Sequence, residues 1–120
     1  MHGTLYSRHV LDLGDGPGVI DWQRFGQGPP ELDAGVFLAT IWRIAQQDKT
    51  LAVEAARAER AFLGGTQDLL GARALAWHRA AALLHFAERA SKLTPRRPGD
   101  WLARSHAMLS EGARLAATAG

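Results

Sequence analysis

A cluster of turn-forming residues near the N-terminus, Gly14-Asp15-Gly16-Pro17-Gly18, is the feature that most restricts how this chain can fold. Glycine and aspartate tolerate left-handed backbone angles and proline fixes φ, so such a cluster favours a reversal of chain direction. One apolar segment, near Arg8 to Leu13, precedes the cluster, and a second, near Gly18 to Asp21, follows it. This order predicts a β-hairpin whose strands cover those two segments.

A hairpin places the residues before its first strand beside the residues after its second strand. We therefore expect four polar residues to meet at one edge of the hairpin. They are His2, Thr4, His9 and Asp21. Apart from Arg24, no cationic side chain lies close to Asp21 in the sequence, so we expect its carboxylate to be open to a ligand.

Three motifs occur in an order that resembles the aminoglycoside phosphotransferase family, the small-molecule branch of the protein-kinase-like fold. The family's His-Gly-Asp-Leu motif, followed after three residues by Asn or His, is similar to His2-Gly3-Thr4-Leu5 with His9. Its Asp-Trp motif, which follows an apolar pair, is similar to Ile20-Asp21-Trp22. Its Gly-x-Gly-Asp-Pro-x-x-Asp motif is similar to the segment from Gly26 to Asp33. The resemblance covers roughly the first third of the chain.

The resemblance implies ATP-dependent phosphoryl transfer to a hydroxyl of a small molecule, with Mg²⁺ neutralising charge on the phosphates. It implies that Asp21 binds the metal and that His9 occupies the position of the second metal contact. It also implies structural roles for His2 and for Asp33, whose carboxylate would accept hydrogen bonds from the backbone of the catalytic loop.

The chain departs from the family pattern at three points. Thr4 occupies the position of the aspartate that accepts the substrate proton, and a hydroxyl is no base near neutral pH. No catalytic residue is therefore assigned. Pro29 replaces the usual aspartate of the third motif. The sequence also begins where the family's catalytic loop begins, so we expect the nucleotide-binding lobe to be absent and Mg-ATP binding by these residues alone to be poor.

Each candidate residue also has a simpler interpretation. Asp21 could cap a turn at the end of a strand, and His9 could be a hairpin-edge residue bonded to the backbone. His2, His9 and Asp21 could instead form a zinc site of two imidazoles and a carboxylate. His78 and His85 are seven residues apart on a predicted helix, roughly 10 Å along its axis, which is too far to share one ion.

The remainder of the chain predicts four helices. They run roughly from 34 to 47, from 50 to 63, from 67 to 92 and from 101 to 118. Their predicted N-caps are Asp33, Thr50, Thr66 or Asp68, and Asp100. Gly64-Gly65 is predicted to end the second helix and Thr94-Pro95 the third, with Arg96-Arg97-Pro98-Gly99 as a basic linker.

Apolar residues at helical spacing predict the buried faces of these helices. In the second helix the predicted buried stripe is Leu51, Ala55, Ala58 and Phe62. In the third, one row contains Leu70, Ala74, Trp77, Ala81 and Leu84, widened by Leu83, Phe86, Ala87 and Ala90. In the fourth, Trp101, Met108 and Leu115 recur every seven residues. The third helix, rich in alanine, is expected to be central.

Composition limits the remaining possibilities. The chain has 120 residues, 47% of them hydrophobic, which fits a single globular domain or part of a larger one. A net charge of +2, without a basic stripe interleaved with aromatics, argues against nucleic-acid binding. The lack of cysteine, of a signal peptide and of a long apolar segment predicts a cytoplasmic protein that does not bind membranes.

We therefore predict an α+β chain, mostly α, with an N-terminal β-hairpin packed on a bundle of about four helices, like the C-terminal lobe of a protein kinase. Residues 1–33 would form the catalytic-loop-like hairpin and 34–120 the helical body of one domain. Two functions are compatible with this prediction. One is part of a small-molecule kinase, truncated or completed by a partner such as a second copy or a nucleotide-binding lobe. The other is a non-catalytic, pseudokinase-like binding or regulatory module.

Overall fold

The computed structural model describes residues 1–92 and 98–120. The described elements are, in chain order, a 3₁₀ turn at Ser7–His9, strands β1 (Val10–Asp12) and β2 (Pro17–Val19), helix α1 (Pro30–Gln47), a 3₁₀ turn at Lys49–Leu51, and helices α2 (Ala52–Thr66), α3 (Ala72–Lys92) and α4 (Pro98–Ala119). The prediction of a mostly helical α+β chain with an N-terminal hairpin and four helices is confirmed for the described part of the chain.

The predicted hairpin is present, with shorter strands than the sequence suggested. β1 and β2 pair antiparallel, with Val10 opposite Val19 and Asp12 opposite Pro17. The turn between them depends on Gly14, whose φ of +86° lies in the left-handed region that glycine adopts without strain. Its N–H donates to the Asp12 carboxylate at 2.8 Å, so the turn is held by local side-chain chemistry.

Helix α1 begins at Pro30, four residues before the predicted start, and its N-cap is Pro29. Proline suits the first helical position, because its fixed φ is helical and its missing N–H is not needed there. The prediction that Asp33 caps this helix is therefore wrong. Asp33 lies inside the first helical turn, and this position frees its carboxylate for a distant part of the chain.

The predicted boundaries of α2 are also wrong. Asp48, and not Thr50, caps this region, because the Asp48 carboxylate accepts the N–H of Thr50 at 3.0 Å. The helix continues through Gly64-Gly65 to Thr66. Glycine permits a helix to end, but each glycine lowers helix stability by only about 1 kcal/mol relative to alanine, so the pair does not force the end. Of the predicted buried stripe, Ala55 is buried and Phe62 is half-buried, whereas Leu51 and Ala58 are exposed.

Helix α3 begins at Ala72, after a turn, so neither Thr66 nor Asp68 caps it. It lies between α1 and α4 and is the central helix, as predicted. The buried face of α3 contains Leu83, Phe86 and Ala87, which were predicted only to widen the main apolar row. Together with Ala80, which belonged to neither predicted set, they pack against Ala39, Met108 and Leu115. The row that was expected to lead the core is solvent-facing, since Trp77 is 60% exposed and Leu84 59% exposed.

Close contact between α1 and α3 fixes the position of the site loop above them. Gly35 lies where a Cβ would come within 2.7 Å of the Arg79 backbone nitrogen, so only glycine permits this approach. At the far side of α3, α4 begins at Pro98, so Asp100 lies inside the helix and does not cap it. Met108 and Leu115 are buried as predicted. The predictions for Thr94-Pro95, Arg96-Arg97 and the Trp101 side chain fall outside the described residues.

Candidate functional site

The loop that precedes the hairpin is attached to the start of α1 by one carboxylate. Asp33 accepts hydrogen bonds from two consecutive backbone N–H groups, those of His2 and of Gly3, the second at 2.8 Å. A charged acceptor makes these bonds stronger than ordinary amide–carbonyl bonds. Because α1 begins at Pro30, Asp33 lies in its first turn, and the carboxylate reaches the loop about thirty residues earlier in the sequence.

Gly3 allows this loop to turn tightly against the segment after the hairpin. Its φ is +90°, and a Cβ at this position would lie 2.4 Å from the carbonyl oxygen of Arg24. No other residue type fits both constraints. Next to this contact, the amino group of Met1 donates a hydrogen bond to the carbonyl of Gly26, and the Gly26 N–H donates to the carbonyl of Met1. These two bonds also hold the loop against the segment after the hairpin.

The imidazole of His9 connects the loop to the end of the hairpin. Its Nδ1 lies 3.0 Å from the carbonyl oxygen of Thr4, and its Nε2 lies 3.3 Å from Oδ2 of Asp21. The His9 side chain is only 6% exposed, whereas that of Asp21 is 43% exposed. The His9 ring is thus held by the protein, and it supports a carboxylate that remains open to solvent.

His2 occupies the second buried position beside this pair. Its Nε2 lies 2.8 Å from the carbonyl oxygen of Ile20, and its ring stacks on that of His9 with centroids 5.4 Å apart. The Trp22 ring covers it from another side at 4.8 Å. These contacts bring His2, Thr4, His9 and Asp21 together, as the hairpin predicted. The His2 ring itself is used for a hydrogen bond to the backbone and for packing against two other rings.

Asp21 has an unusual backbone conformation. Its φ of +66° makes it the only non-glycine residue with positive φ in the described part of the chain. Aspartate tolerates the left-handed region better than most residues, but the conformation is uncommon and is frequent at functional sites. It turns the chain sharply after Ile20, which places the Asp21 carboxylate beside His9.

A cleft of about 750 Å³ opens in front of this carboxylate. Thr4, His9 and Asp21 line one side of it, and residues of α3 line the other. Arg8, Arg24 and Arg89 also line the cleft, whereas its acidic lining residues are Asp21 and Glu88. Thr4 is therefore at the cleft as the motif implies, but its side chain brings only a hydroxyl group.

Sequence reasoning missed one residue that supports the loop. Thr40 in α1 is 2% exposed, and its hydroxyl accepts the N–H of Ser7 at 2.9 Å while donating to the carbonyl of Phe37. This bridge holds the 3₁₀ turn that precedes β1 against α1. A threonine inside the apolar face of a predicted helix was the available signal, because a buried hydroxyl requires partners.

The zinc alternative finds no support. No group of three or more histidine, aspartate or glutamate side chains within residues 1–92 and 98–120 is arranged to hold a metal ion. The His2 imidazole uses Nε2 on a backbone carbonyl, so it is not directed at an ion shared with His9 and Asp21. On α3, His85 is exposed and lies 4.0 Å from the Glu88 carboxylate, and His78 is half-buried, so both are ordinary surface histidines.

Comparison with known families gives a result that agrees with the motifs around the hairpin. The family model described as "Phosphotransferase enzyme family" (APH) matches residues 1–79. This match covers more than half of the chain, and the chain belongs to that family. No curated protein and no solved structure matches it. None of the described helices is long and apolar enough to cross a membrane.

Proposed function

We propose that this chain supplies the metal-facing and substrate-facing part of a small-molecule phosphotransferase site. The observation that carries the proposal is the position of the Asp21 carboxylate, which is open to the cleft and 3.3 Å from Nε2 of His9. In this proposal Asp21 and His9 are the metal-side residues. His2 and Asp33 support the loop that presents them.

The residues present fit a magnesium ion that is held mainly by other ligands. Magnesium in phosphotransferases is bound by one or two carboxylates together with phosphate oxygens and water. In this site Asp21 would supply the carboxylate, and Nε2 of His9, 3.3 Å from its Oδ2, lines the same side of the cleft. When bound, the ion would neutralise charge on the transferring phosphates.

Asp21 is the stronger of the two candidate ligands. Magnesium prefers oxygen, and imidazole suits softer metals. The principal role proposed for His9 is therefore to position the Asp21 carboxylate from its buried site. This role follows from the contrast in exposure of the two side chains, 6% for His9 and 43% for Asp21.

Thr4 limits what the chain can do chemically. Kinases of this class need a carboxylate that accepts the hydroxyl proton of the substrate as the phosphoryl group is transferred. Thr4 lines the cleft and stands at that position of the motif by resemblance to the family, and its hydroxyl cannot accept a proton near neutral pH. We infer that residues 1–120 do not catalyse efficient phosphoryl transfer by themselves.

We also infer that productive ATP binding needs contacts that residues 1–120 do not supply, from a nucleotide-binding lobe or from a second copy of this chain. Apolar side chains that are exposed at the hairpin and just after it support this inference. The most exposed are Leu13 (62%), Trp22 (51%) and Phe25 (74%). Apolar surface concentrated in one region often marks an interface. A non-catalytic binding module with the same fold remains the second candidate, and the Thr4 substitution favours it.

The proposed metal role of Asp21 can be tested by thermal unfolding with increasing MgCl₂. If the ion reaches ten times its dissociation constant, binding to the folded state adds about 1.4 kcal/mol to the free energy of unfolding. For a chain of this size the melting temperature should then rise by about 4–8 °C. Asp21→Asn should abolish the rise, because it removes the charge and keeps a residue that tolerates positive φ.

Asp15→Asn is the matched control, since Asp15 is an exposed aspartate in the hairpin turn. This variant should keep the full magnesium response. Without magnesium, Asp21→Asn should melt close to the wild type, because the Asp21 side chain is largely solvated. A wild type that does not respond to magnesium, or an equal response in Asp21→Asn, would show that Asp21 is a structural residue.

A further inference from the structure

Four arginines from four different elements line one cavity beside the cleft. Arg8 comes from the turn before β1, Arg43 from α1, Arg89 from α3 and Arg104 from α4. The cavity has a volume of about 230 Å³. Like charges brought together in this way repel each other. Water and salt screen part of this repulsion, since Arg8, Arg89 and Arg104 are exposed and Arg43 is half-buried.

Among the side chains that the structure describes, no carboxylate neutralises these four charges. None of the four arginines forms an ion pair with one of those carboxylates within 4.0 Å. The other side chains that line the cavity are neutral. They are Tyr6, Gln46, Gln47, Phe86, Ala90 and Met108.

Two of the guanidinium groups are held in place by aromatic rings. Arg43 lies over the Phe86 ring at 4.3 Å from its centroid, and Arg8 lies over the Tyr6 ring at 4.4 Å. Stacking uses the face of a guanidinium and leaves the N–H donors on its edge available. The aromatic contacts therefore preorganise two groups of donors without satisfying them.

Arg43 has the least solvent around it. Burial lowers the pKa of the Arg43 guanidinium from its ordinary value, and the positive charges of Arg8 and Arg89 lower it further, against an opposite effect of Tyr6. The group remains charged, because arginine does not lose its proton in proteins near neutral pH. A partly desolvated cation with cationic neighbours is an environment that a bound anion would stabilise.

We propose that this arginine pocket binds the anionic group, a phosphate or a carboxylate, of a small molecule that also carries a hydroxyl. The arginine pocket shares Tyr6, Arg8, Phe86 and Arg89 with the larger cleft that contains Thr4 and Asp21. A molecule anchored here by its anionic end would extend its hydroxyl into that cleft. The assignment of the hydroxyl rests on the proposed phosphotransferase function, whereas the assignment of the anion does not.

The size of the pocket agrees with this ligand class. A water molecule occupies about 30 Å³ in the liquid, so 230 Å³ accommodates a phosphate or carboxylate with a short carbon chain. Planar guanidinium groups recognise both anions through paired N–H donors. The substrates that fit are thus hydroxy acids or phosphorylated alcohols, and cationic substrates are disfavoured by the four positive charges.

Titration calorimetry with two probes, inorganic phosphate and malonate, tests the pocket. The wild type should bind at least one probe with a dissociation constant in the millimolar range, and binding should weaken as NaCl rises. Arg43→Gln should weaken it by at least tenfold. Arg60→Gln is the matched control, because Arg60 is exposed on α2, which does not line the pocket, and this variant should bind as the wild type does.

Arg104→Gln provides a second variant if Arg43→Gln fails to fold, since Arg104 is exposed and its loss should be tolerated. It should weaken binding by about three- to tenfold. Tighter binding of phosphate than of malonate would assign a phosphorylated ligand, and the reverse order a carboxylic acid. No binding of either probe at 50 mM, or binding unchanged in both pocket variants, would overturn the proposal.

The same titration separates this inference from the proposed function, because it uses neither magnesium nor nucleotide. Asp21→Asn should bind the anion as the wild type does while losing its magnesium response. Anion binding without any magnesium response would refute the metal role and leave the arginine pocket standing. A magnesium response without anion binding would refute the arginine pocket and leave the metal role of Asp21 standing.

Discussion

Replacement of Asp33 should destabilise the chain more than replacement of any other single aspartate. The Asp33 carboxylate accepts two backbone N–H groups from a loop thirty residues away, those of His2 and Gly3. Asp33→Ala leaves both donors without their acceptor. The loop cannot easily move to find another, because Gly3 already lies against the Arg24 carbonyl and the His2 ring is enclosed by its neighbours.

The magnitude follows from the number and exposure of these bonds. Leaving a buried donor unsatisfied costs about 1–3 kcal/mol. Asp33 is only half-buried, so water can replace part of what is lost, and the expected total is about 2–3 kcal/mol. For a chain of this length that corresponds to a fall in melting temperature of about 8–12 °C.

Thermal unfolding by circular dichroism measures the fall, and amide hydrogen exchange locates it. The Gly3 amide should lose its protection in Asp33→Ala. The shape-matched Asp33→Asn keeps one acceptor oxygen, so it should lose only one of the two hydrogen bonds and destabilise the chain less. Asp68→Asn is the control, because Asp68 is an exposed aspartate in the turn after α2. A change below about 2 °C in Asp33→Ala, or a Gly3 amide that exchanges as in the wild type, would refute this account of the loop.

Two further predictions concern the packing of the helical body. Gly35→Ala should lower the free energy of unfolding by about 1–3 kcal/mol, because the new Cβ would lie within 3 Å of the α3 backbone. Gly64→Ala is the contrast, since its Cβ would meet nothing within 4 Å, and it should raise the free energy of unfolding by about 0.5–1 kcal/mol. Chemical denaturation measures both changes. The Glu31 carboxylate accepts the N–H of Gly71 at 2.7 Å, and this hydrogen bond lowers the pKa of Glu31 below its ordinary value. Because the pKa of Glu31 is lower in the folded state than in the unfolded state, its contribution to the free energy of unfolding is present above the unfolded-state pKa of 4.5. This contribution is lost as the pH falls through the pKa of the folded state. Glu31→Gln should therefore flatten the acid side of a plot of melting temperature against pH, and an unchanged slope would contradict this assignment.

The hairpin and the motifs around it could be predicted from the sequence, because their chemistry is local. The turn depends on Gly14, whose backbone angle few other residues adopt, and on the Asp12 carboxylate two residues earlier. Once the hairpin is known, the meeting of His9 and Asp21 follows from its geometry. The family match, over residues 1–79, includes these residues.

The contacts of the candidate site could be predicted only in part. The sequence predicted that His9 and Asp21 would meet, but it gave no indication that the His9 side chain would be buried while that of Asp21 stays exposed. The support from Thr40 and the four-arginine pocket were missed entirely. Arg43 and Arg104 are 61 residues apart in the sequence, and only the packing of α1, α3 and α4 brings them to one cavity.

The sequence by itself determined that the chain forms an N-terminal hairpin and four helices and that it carries the motifs of its family, because turn preferences and helical periodicity act over a few residues. Tertiary structure decided where the helices begin and end and which of their faces are buried. On α3, the row with Trp77 and the row with Leu83 are both apolar at helical spacing, and only the positions of α1 and α4 select the second for the core. Burial is a property of neighbours in space, so a pattern along one helix cannot determine it.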